Sequence, residues 1–541
     1  MGREAYDKVS RLVNCVPGDC ENKCSVLHLA LVADIVLTTL NAKYIHASFG
    51  LRYLLANMGE LTERTNLLEF DINQRPLEIV ERLLEQEAQI IGFGVYIWNT
   101  RQTEEVIALL RKLTPSIKII LGGPEVSYDT QTQSIVQLAD CTITGEADLE
   151  FARVCSMLLN DEPIEKVTAA PLPSLSDLRL PYHLYNQEDL SHRVIYLEAS
   201  RGCPFTCEFC LSSVDIPVRA FELNTFLDAM DELLQRGAKE FKFVDRTFNL
   251  NMRVSEAILT FFLERYFDGL FLHFEIIPDR LPNGLRTLIR KFPPGALQFE
   301  IGIQTFNEEV SKHINRRQNY DKLADNFQFL RNETGVHIHA DLIVGLPGET
   351  LGSFGEGFNR LIELNPQEIQ IGILKRLKGT PIIRHNEEFQ MVYSPHPPFE
   401  ILRNRDLNFE ALQTMRRFAR YWDLVGNSGN FVESRKLIWA DSRSPFRSFL
   451  AFSEYLSNRA RRRHGIALSA LVDFVFGFLT EENAIHPQQA AMTVLKDYQR
   501  GGRSDIPMAL REFVDGEQTS SGKRISAPKR QARHGATVST H

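Results

Sequence analysis

Eight cysteines in 541 residues are too few for a disulfide-built scaffold, and a chain of this length has no need of one. Three of the eight fall between positions 203 and 210, a clustering that suits metal binding in a reducing compartment. Long apolar runs are also missing. The most apolar stretch, 467–479, is interrupted by Asp473 and is shorter than the roughly 20 residues a spanning helix needs. The N-terminus lacks the succession of charged, apolar and small residues that marks a secretory signal. No membrane partner is expected, and the expected compartment is the cytoplasm. Charge of one sign is lacking too: Lys plus Arg total 61 against 69 for Asp plus Glu, a net −8. No global field therefore draws the chain to nucleic acid, and nucleic acid is not an expected partner.

What is present is a twice-repeated alternation of β-branched runs and helix-like segments, the pattern of parallel sheets covered by helices. In the first series, strands are expected at 34–38, 66–70, 89–95, 116–121 and 141–144, with periodic helical stretches such as 77–84 and 104–113 between them. That is a doubly wound, flavodoxin-like α/β domain over 33–160, behind an extension of 1–32. A segment rich in proline, serine and charge, 171–181, marks a linker over 161–190. The second series has strands at 194–199, 240–244, 272–277, 297–303, 336–344 and 368–374, which fits a partial or full β/α barrel over 191–385. Beyond it Leu412, Met415, Phe418, Trp422 and Val425 recur at helical spacing before Gly426, so 386–500 is expected to be helical. The Gly/Ser/Lys/Arg-rich remainder, 501–541, is expected to be a disordered basic tail.

The chemistry concentrates in Arg201-Gly202-Cys203-Pro204-Phe205-Thr206-Cys207-Glu208-Phe209-Cys210, which follows the first barrel strand directly. Thiolates are the standard ligands of iron–sulfur clusters. Three of them cap three corners of a four-iron cluster and leave one iron open. An open iron can chelate the amino and carboxylate groups of S-adenosylmethionine (SAM), and an electron passed through the cluster can cleave the sulfonium to a 5′-deoxyadenosyl radical. The alternatives are a zinc site completed by His192 or a distant histidine, and buried structural cysteines.

The spacing C-x3-C-x2-C, with an aromatic before the last cysteine, resembles the signature of the radical SAM superfamily. That resemblance implies Cys203, Cys207 and Cys210 as catalytic residues and ligands of a [4Fe-4S] cluster. It places SAM against Phe209, Ile343 and Gly345, with Asp245, Glu300 and Gln304 as polar contacts. Barrel enzymes carry their chemistry at the C-terminal ends of strands, where these residues fall. Each has a bland reading as well: Asp245 as a helix cap, Gly345-Leu346-Pro347-Gly348 as a turn.

In the first domain the loops after the strands carry Thr38 to His46, Tyr96-Ile97-Trp98, Leu121-Gly122-Gly123-Pro124-Glu125 and Gly145-Glu146. This order resembles the cobalamin-binding domain that precedes the barrel in B12-binding-domain radical SAM proteins. It implies cobalamin against Thr38, Asn41, His46, Tyr96, Trp98, Gly122, Gly123, Glu125, Gly145 and Glu146. The Asp-x-His-x-x-Gly motif that supplies an axial histidine is absent, so His46 as a cobalt ligand competes with an ordinary loop histidine. Methylthiotransferases join similar domains but carry three further cluster cysteines in the first, which this sequence lacks. Cys15, Cys20 and Cys24 could hold a second metal, although no function is the favoured reading.

The helical unit resembles an uncharacterised extension in one branch of that class. It is expected to cover the barrel mouth, and its cluster Arg459, Arg461, Arg462, Arg463 and His464 reads as a phosphate site or, more simply, as a solvated helix end. The implied activity is cobalamin-dependent methylation of an unactivated carbon in an unknown substrate, with flavodoxin or ferredoxin as reducing partner. Cobalamin-assisted ring rearrangement or oxidative cyclisation, and a non-catalytic Fe–S or cobalamin sensor, are the other readings.

Overall fold

Runs of β-branched and apolar residues build the first sheet. In the computed structural model, which describes residues 33–214, 217–440, 442–460, 465–500, 502–514 and 529–535, strand β1 (Ile35–Asn41) is buried along its whole length. A strand covered on both faces has no polar side to present, hence the nearly continuous apolar sequence. It lies in a parallel sheet with β2 (Thr65–Asp71), β3 (Ile90–Gly94), β4 (Lys118–Gly122), β5 (Cys141–Thr144) and β6 (Val167–Ala169). The order is β2-β1-β3-β4-β5-β6, so the direction of strand addition reverses between β1 and β3. In doubly wound sheets ligands bind beyond the strand ends at that reversal. The five expected strands are all present. The sixth, β6, lies inside the expected linker, because its ladder to β5 satisfies backbone groups that the local sequence gives no hint of pairing. Buried anchors fasten the rest of that segment: Tyr182 and Tyr185 are fully buried, and the Tyr182 hydroxyl donates to Glu198 O at 3.2 Å.

The barrel begins at β7 (Ile195–Leu197). Two short strands, β8 (Ser200–Arg201) and β9 (Arg219–Ala220), form an antiparallel pair around the cysteine loop. Then β10 (Glu240–Phe243), β11 (Phe271–Ile276), β12 (Leu297–Gln304), β13 (His337–Val344) and β14 (Glu368–Ile373) add in sequence, all parallel, in the order β14-β13-β12-β11-β10-β7. Among the described residues β7 and β14 do not pair, so this is a partial barrel. The free edge of β7 is met by the first domain: Val194 N–H donates to Ile45 O at 3.0 Å, and His46 bridges Val194.

Alternation along the strands divides two environments. Leu297, Phe299, Ile301 and Ile303 of β12 and Ile338, Ala340, Leu342 and Val344 of β13 join the apolar core under the covering helices. Gln298, Glu300, Gly302 and Gln304, with His337, His339 and Asp341, turn the other way and make the barrel lumen polar.

The helical unit shares the barrel's core. Phe418 and Trp422 pack edge-on to Phe358 of the helix Leu351–Glu363, and Phe446 lies over Phe354 and Phe358. The expected periodic helix is Phe409–Tyr421, continued by a π-helical turn to Gly426, where a Cβ would meet the Trp422 ring at 2.5 Å. This unit is expected over the barrel mouth, yet among the described residues none beyond Asp341 lines either of the two cavities described below. The expected disordered tail is also ordered in part. The helix Lys529–Gly535 closes the lumen from below. Gln531 donates to Gln298 Oε1 at 2.7 Å, Arg530 pairs with Glu368 at 2.9 Å, and His534 stacks edge-on to His337 at 5.3 Å. Burial pushes both histidines down to about 3, so both are neutral. Residues 1–32 with Cys15, Cys20 and Cys24, and Arg461, Arg462, Arg463 and His464, lie outside the described residues.

Candidate functional site

The chain leaves β7 at the top of the barrel and turns through Gly202, whose φ of +92° is open to glycine without strain. Cys203 and Cys207 follow, buried, and Cys210 half-buried, all three as free thiols facing one cavity of about 230 Å³. The loop is held from three sides. Glu208 N–H donates to Ile314 O at 3.0 Å, His385 Nε2 lies 2.8 Å from the Glu208 carboxylate with Arg384 beside it, and Arg316 Nη1 donates to Cys207 Sγ at 3.4 Å. Burial, first of all, pushes the Cys203 thiol up. Among the described residues no three His, Cys, Asp or Glu converge on a single ion. The three thiols instead share one cavity wall, as separate corners of a multi-iron cluster require. His192, the fourth ligand of the zinc alternative, sits on another element with its Nδ1 near Glu188 O and does not line the cavity.

Opposite the thiols the lumen supplies charge. Glu300 Oε2 lies 3.1 Å from His273 Nε2 and 3.3 Å from Lys242 Nζ. Burial opposes its ionisation, but these two groups outweigh that and hold the carboxyl well below the usual range. Asp341 is the converse. Burial, then the neighbouring Glu300 and Glu275 charges, push it well up, and its Oδ1 has no hydrogen-bond partner. Arg316 Nε is likewise buried without a partner. Buried atoms of Asp341 and Arg316 left without a hydrogen bond at one cavity suit a ligand that brings its own carboxylate, ammonium and hydroxyl groups. Gln304, at φ +71°, closes the rim on a bulge in β12, and its amide occupies space that a Cβ on Gly302 would fill.

Of the residues expected at SAM, Phe209, Glu300 and Gln304 line this cavity with the cysteines. Asp245, Ile343 and Gly345 do not. Asp245 accepts from Ala199 N–H at 2.9 Å and Ser200 Oγ at 2.6 Å, so it fastens the start of the cysteine loop, and burial pushes its carboxyl up to about 6. Gly345 is backed by Ile401, and Asn404 donates to its carbonyl. Glu275 and Arg316 also line the cavity and are passed over in the sequence, while Arg246 and Asp341 stand out there only as polar residues at strand ends with no assigned role. Charged residues at inward positions of otherwise apolar strands were the available signal for Glu275 and Asp341; Arg316, in a loop, carried none.

A second cavity, of about 310 Å³, opens where the first sheet reverses. Gly92, Gly94 and Gly122 form one wall, the helix Phe49–Ala56 the other. Gly92 could carry no side chain without striking Phe151 at 2.6 Å, and Gly123, at φ +108°, none without striking Val95 O at 2.5 Å. A side-chain-free wall admits a large flat or extended ligand. Of the residues expected at cobalamin, Tyr96, Gly122, Gly123, Gly145 and Glu146 line this cavity. Thr38, Asn41, His46, Trp98 and Glu125 do not. Asn41 donates to Glu69, Trp98 lies flat on Tyr96 at 4.5 Å, and Glu125 pairs with Lys378 at 2.6 Å. His46 Nδ1 lies 2.6 Å from the Tyr196 hydroxyl, which engages it away from this cavity.

Glu198, from the barrel, reaches the rim of this second cavity. Burial lifts its carboxyl to about 7 against the lowering influence of Arg201. The folded state then binds this proton more tightly than the unfolded chain, so Glu198 costs stability increasingly as pH rises from 4.5 to about 7. Glu198→Gln is expected to unfold later than the parent by roughly 1–3 kcal/mol at pH 8, with the gap closing by pH 4, in denaturant melts of the cofactor-free protein.

Family comparisons match the two cavities domain by domain. Residues 35–154 match the B12 binding domain, and residues 197–361 match the radical SAM superfamily. The chain joins a B12 binding domain to a radical SAM domain. Residues 387–532 match a family described only as a protein of unknown function, DUF4080. TokK of Streptomyces tokunonensis, a cobalamin-dependent radical SAM methyltransferase, is 24% identical over 353 residues, covering 57% of this chain and 51% of its own. The 2-(S-pantetheinyl)-carbapenam-3-carboxylate methyltransferase of Streptantibioticus cattleyicolor is 23% identical over 452 residues, covering 74% and 63%. The chain thus spans about half to somewhat under two thirds of the length of these relatives. The solved structure of the cobalamin-dependent radical enzyme OxsB, with aqua-cobalamin and SAM bound, superposes with a TM-score of 0.56 at 12% identity over 90% of this chain and 84% of that one. At that identity the likeness is one of fold.

Proposed function

We propose that this protein is a cobalamin-dependent radical SAM methyltransferase, acting on an unactivated carbon of a substrate still to be identified. The observation that carries the reading is the pair of cavities, one walled by three cysteines and one by glycines, joined by the few residues between β7 and Cys203. When bound there, an iron–sulfur cluster supplies the electron that cleaves SAM to a hydrogen-abstracting radical, and cobalamin supplies a transferable methyl group.

The residues present fit these groups. Cys203, Cys207 and Cys210 would hold three irons. The Arg316 guanidinium suits the SAM carboxylate, while Asp341 and Glu275 suit its ammonium and ribose hydroxyls. Phe205 and Phe209 wall the thiol side with apolar surface, which limits the water that reaches the reacting atoms. In the second cavity Gly92, Gly94 and Gly122 would admit the nucleotide arm of cobalamin against the sheet. His46, committed to Tyr196, is not its axial ligand in this reading. The relatives named as methyltransferases favour methyl transfer over rearrangement, and catalysis over a sensor. Such chemistry needs a reduced flavodoxin- or ferredoxin-type donor and a reducing compartment, which we take to be the cytoplasm. Among the described residues no helix is long and apolar enough to cross a membrane.

The test is anaerobic reconstitution with iron, sulfide and cobalamin, followed by EPR of the reduced cluster with and without SAM. A SAM-dependent change of the cluster signal and release of 5′-deoxyadenosine are expected. Arg316→Met should raise the SAM concentration required at least roughly ten-fold, the equivalent of one charge-assisted hydrogen bond. A well-formed cluster whose spectrum ignores SAM overturns the reading.

A further inference from the structure

Arg201 stands between the two cavities. Its side chain lines the glycine-walled one, and two residues later Cys203 lines the thiol-walled one. Its guanidinium is almost fully engaged. Nη1 and Nη2 grip Asp148 at 2.9 and 3.0 Å, Nη1 also reaches Glu146 at 2.8 Å, and Nε donates to Glu198 at 2.9 Å. The plane lies over the Tyr53 ring at 4.6 Å, with Phe221 at 5.7 Å. Glu146 and Asp148 come from the loop after β5 in the first domain, and Glu198 from the barrel. The other arm of the cysteine loop repeats the contact, because Arg219, paired with Arg201 across β8 and β9, also binds Glu146.

A forked, planar cation grips Asp148 with two parallel donors and still has donors left for Glu146 and Glu198, a fixed geometry that a lysine ammonium cannot reproduce. Asp148 and Glu198 are buried, so each would be costly to leave without its counter-charge. The acidic loop cannot withdraw from the cysteine loop without stranding these groups. From this we infer that Arg201 is a positioning residue: it fixes the cysteine loop against the loop following β5, and so sets the placement of one cofactor cavity relative to the other. The inference rests on the reading of both cavities as cofactor sites only in its second half; the rigid link itself concerns the polypeptide alone.

Arg201→Lys keeps a charge but loses the fork, and Asp148→Asn weakens one arm while sparing Arg201. In the cofactor-free protein, hydrogen exchange at residues 145–150 and 198–204 is expected to rise together, roughly ten-fold, in both variants, with the helix Phe409–Tyr421 unchanged. If one segment loosens without the other, or neither does, the link does not exist. In reconstituted protein, EPR spin–spin coupling between cob(II)alamin and the reduced cluster reports their separation. It is expected to differ between wild type and Arg201→Lys at equal iron and cobalamin content. Equal coupling in the two proteins refutes the placement role. Failure of the wild type to retain cobalamin would instead refute the functional reading of the second cavity, while the exchange measurement still decides the link.

Discussion

Replacement of Cys203, Cys207 or Cys210 by alanine, one at a time, is expected to reduce 5′-deoxyadenosine formation to background. Two thiolates cannot hold a cubane with one open corner, so the loss should be all or none rather than graded by exposure, even though Cys210 is more accessible than the other two. The fold should survive. The loop is held by Glu208, Arg316 and Asp245 through backbone and carboxylate contacts that mostly do not involve the thiols, which accept only from Arg316 at Cys207 and from the Phe205 backbone at Cys203 among the described residues. Cys141 and Cys155 provide the internal control. Both are buried in the core of the first domain, and burial raises both thiols, which keeps them unreactive. Cys155→Ala should retain full iron content. Iron and sulfide analysis of each reconstituted variant, alongside the SAM cleavage assay, measures this; normal activity in any of the three loop variants would remove the cluster assignment.

The second large effect is expected at two adjacent glycines, with opposite outcomes. Gly122 has room: a Cβ there meets nothing closer than Ile143 O at 3.8 Å, and the position faces the second cavity. Gly122→Leu should therefore fold, fill the cavity and lower cobalamin retention at least roughly ten-fold, because overlap with a bound ligand is not relieved by small shifts in a packed wall. Gly123 has none. Its φ of +108° and the Val95 carbonyl 2.5 Å from a built Cβ make even Gly123→Ala costly to the fold, by about 2 kcal/mol or more. Absorbance of cobalamin after gel filtration reads the first outcome, and a denaturant melt of cofactor-free protein reads the second. A Gly122→Leu protein that keeps cobalamin would move the cofactor elsewhere.

Signals that depend on nearest neighbours were legible in the sequence. Strand runs were placed to within a few residues because burial on both faces of a parallel sheet demands consecutive apolar side chains, and the cysteine spacing located the first cavity. Partners chosen by the tertiary structure were not legible. Asp245 was read as a ligand-binding carboxylate, yet its acceptor capacity is taken by groups some 45 residues earlier in the chain. His46 was read beside cobalamin, and it is held by Tyr196, 150 residues away. Arg316 gives no signal because an arginine after a helix is ordinarily solvated, and only the fold brings the Cys207 thiol and Asp341 to it. The tail was assigned by composition alone. Composition counts charges but cannot know that Glu368 waits buried beneath the sheet for Arg530.

That last contact also bears on how the protein is made. The first domain completes its sheet with β6, long before the barrel is synthesised, and can fold while the ribosome is still translating. The barrel cannot be finished in that way, since its floor is supplied by residues 529–535. Until that segment has been made, Gln298, His337 and Glu368 face a lumen open at its base. The polar interior is thus closed by residues that follow the last barrel strand by a whole helical unit, and its closure lags behind completion of the sheet.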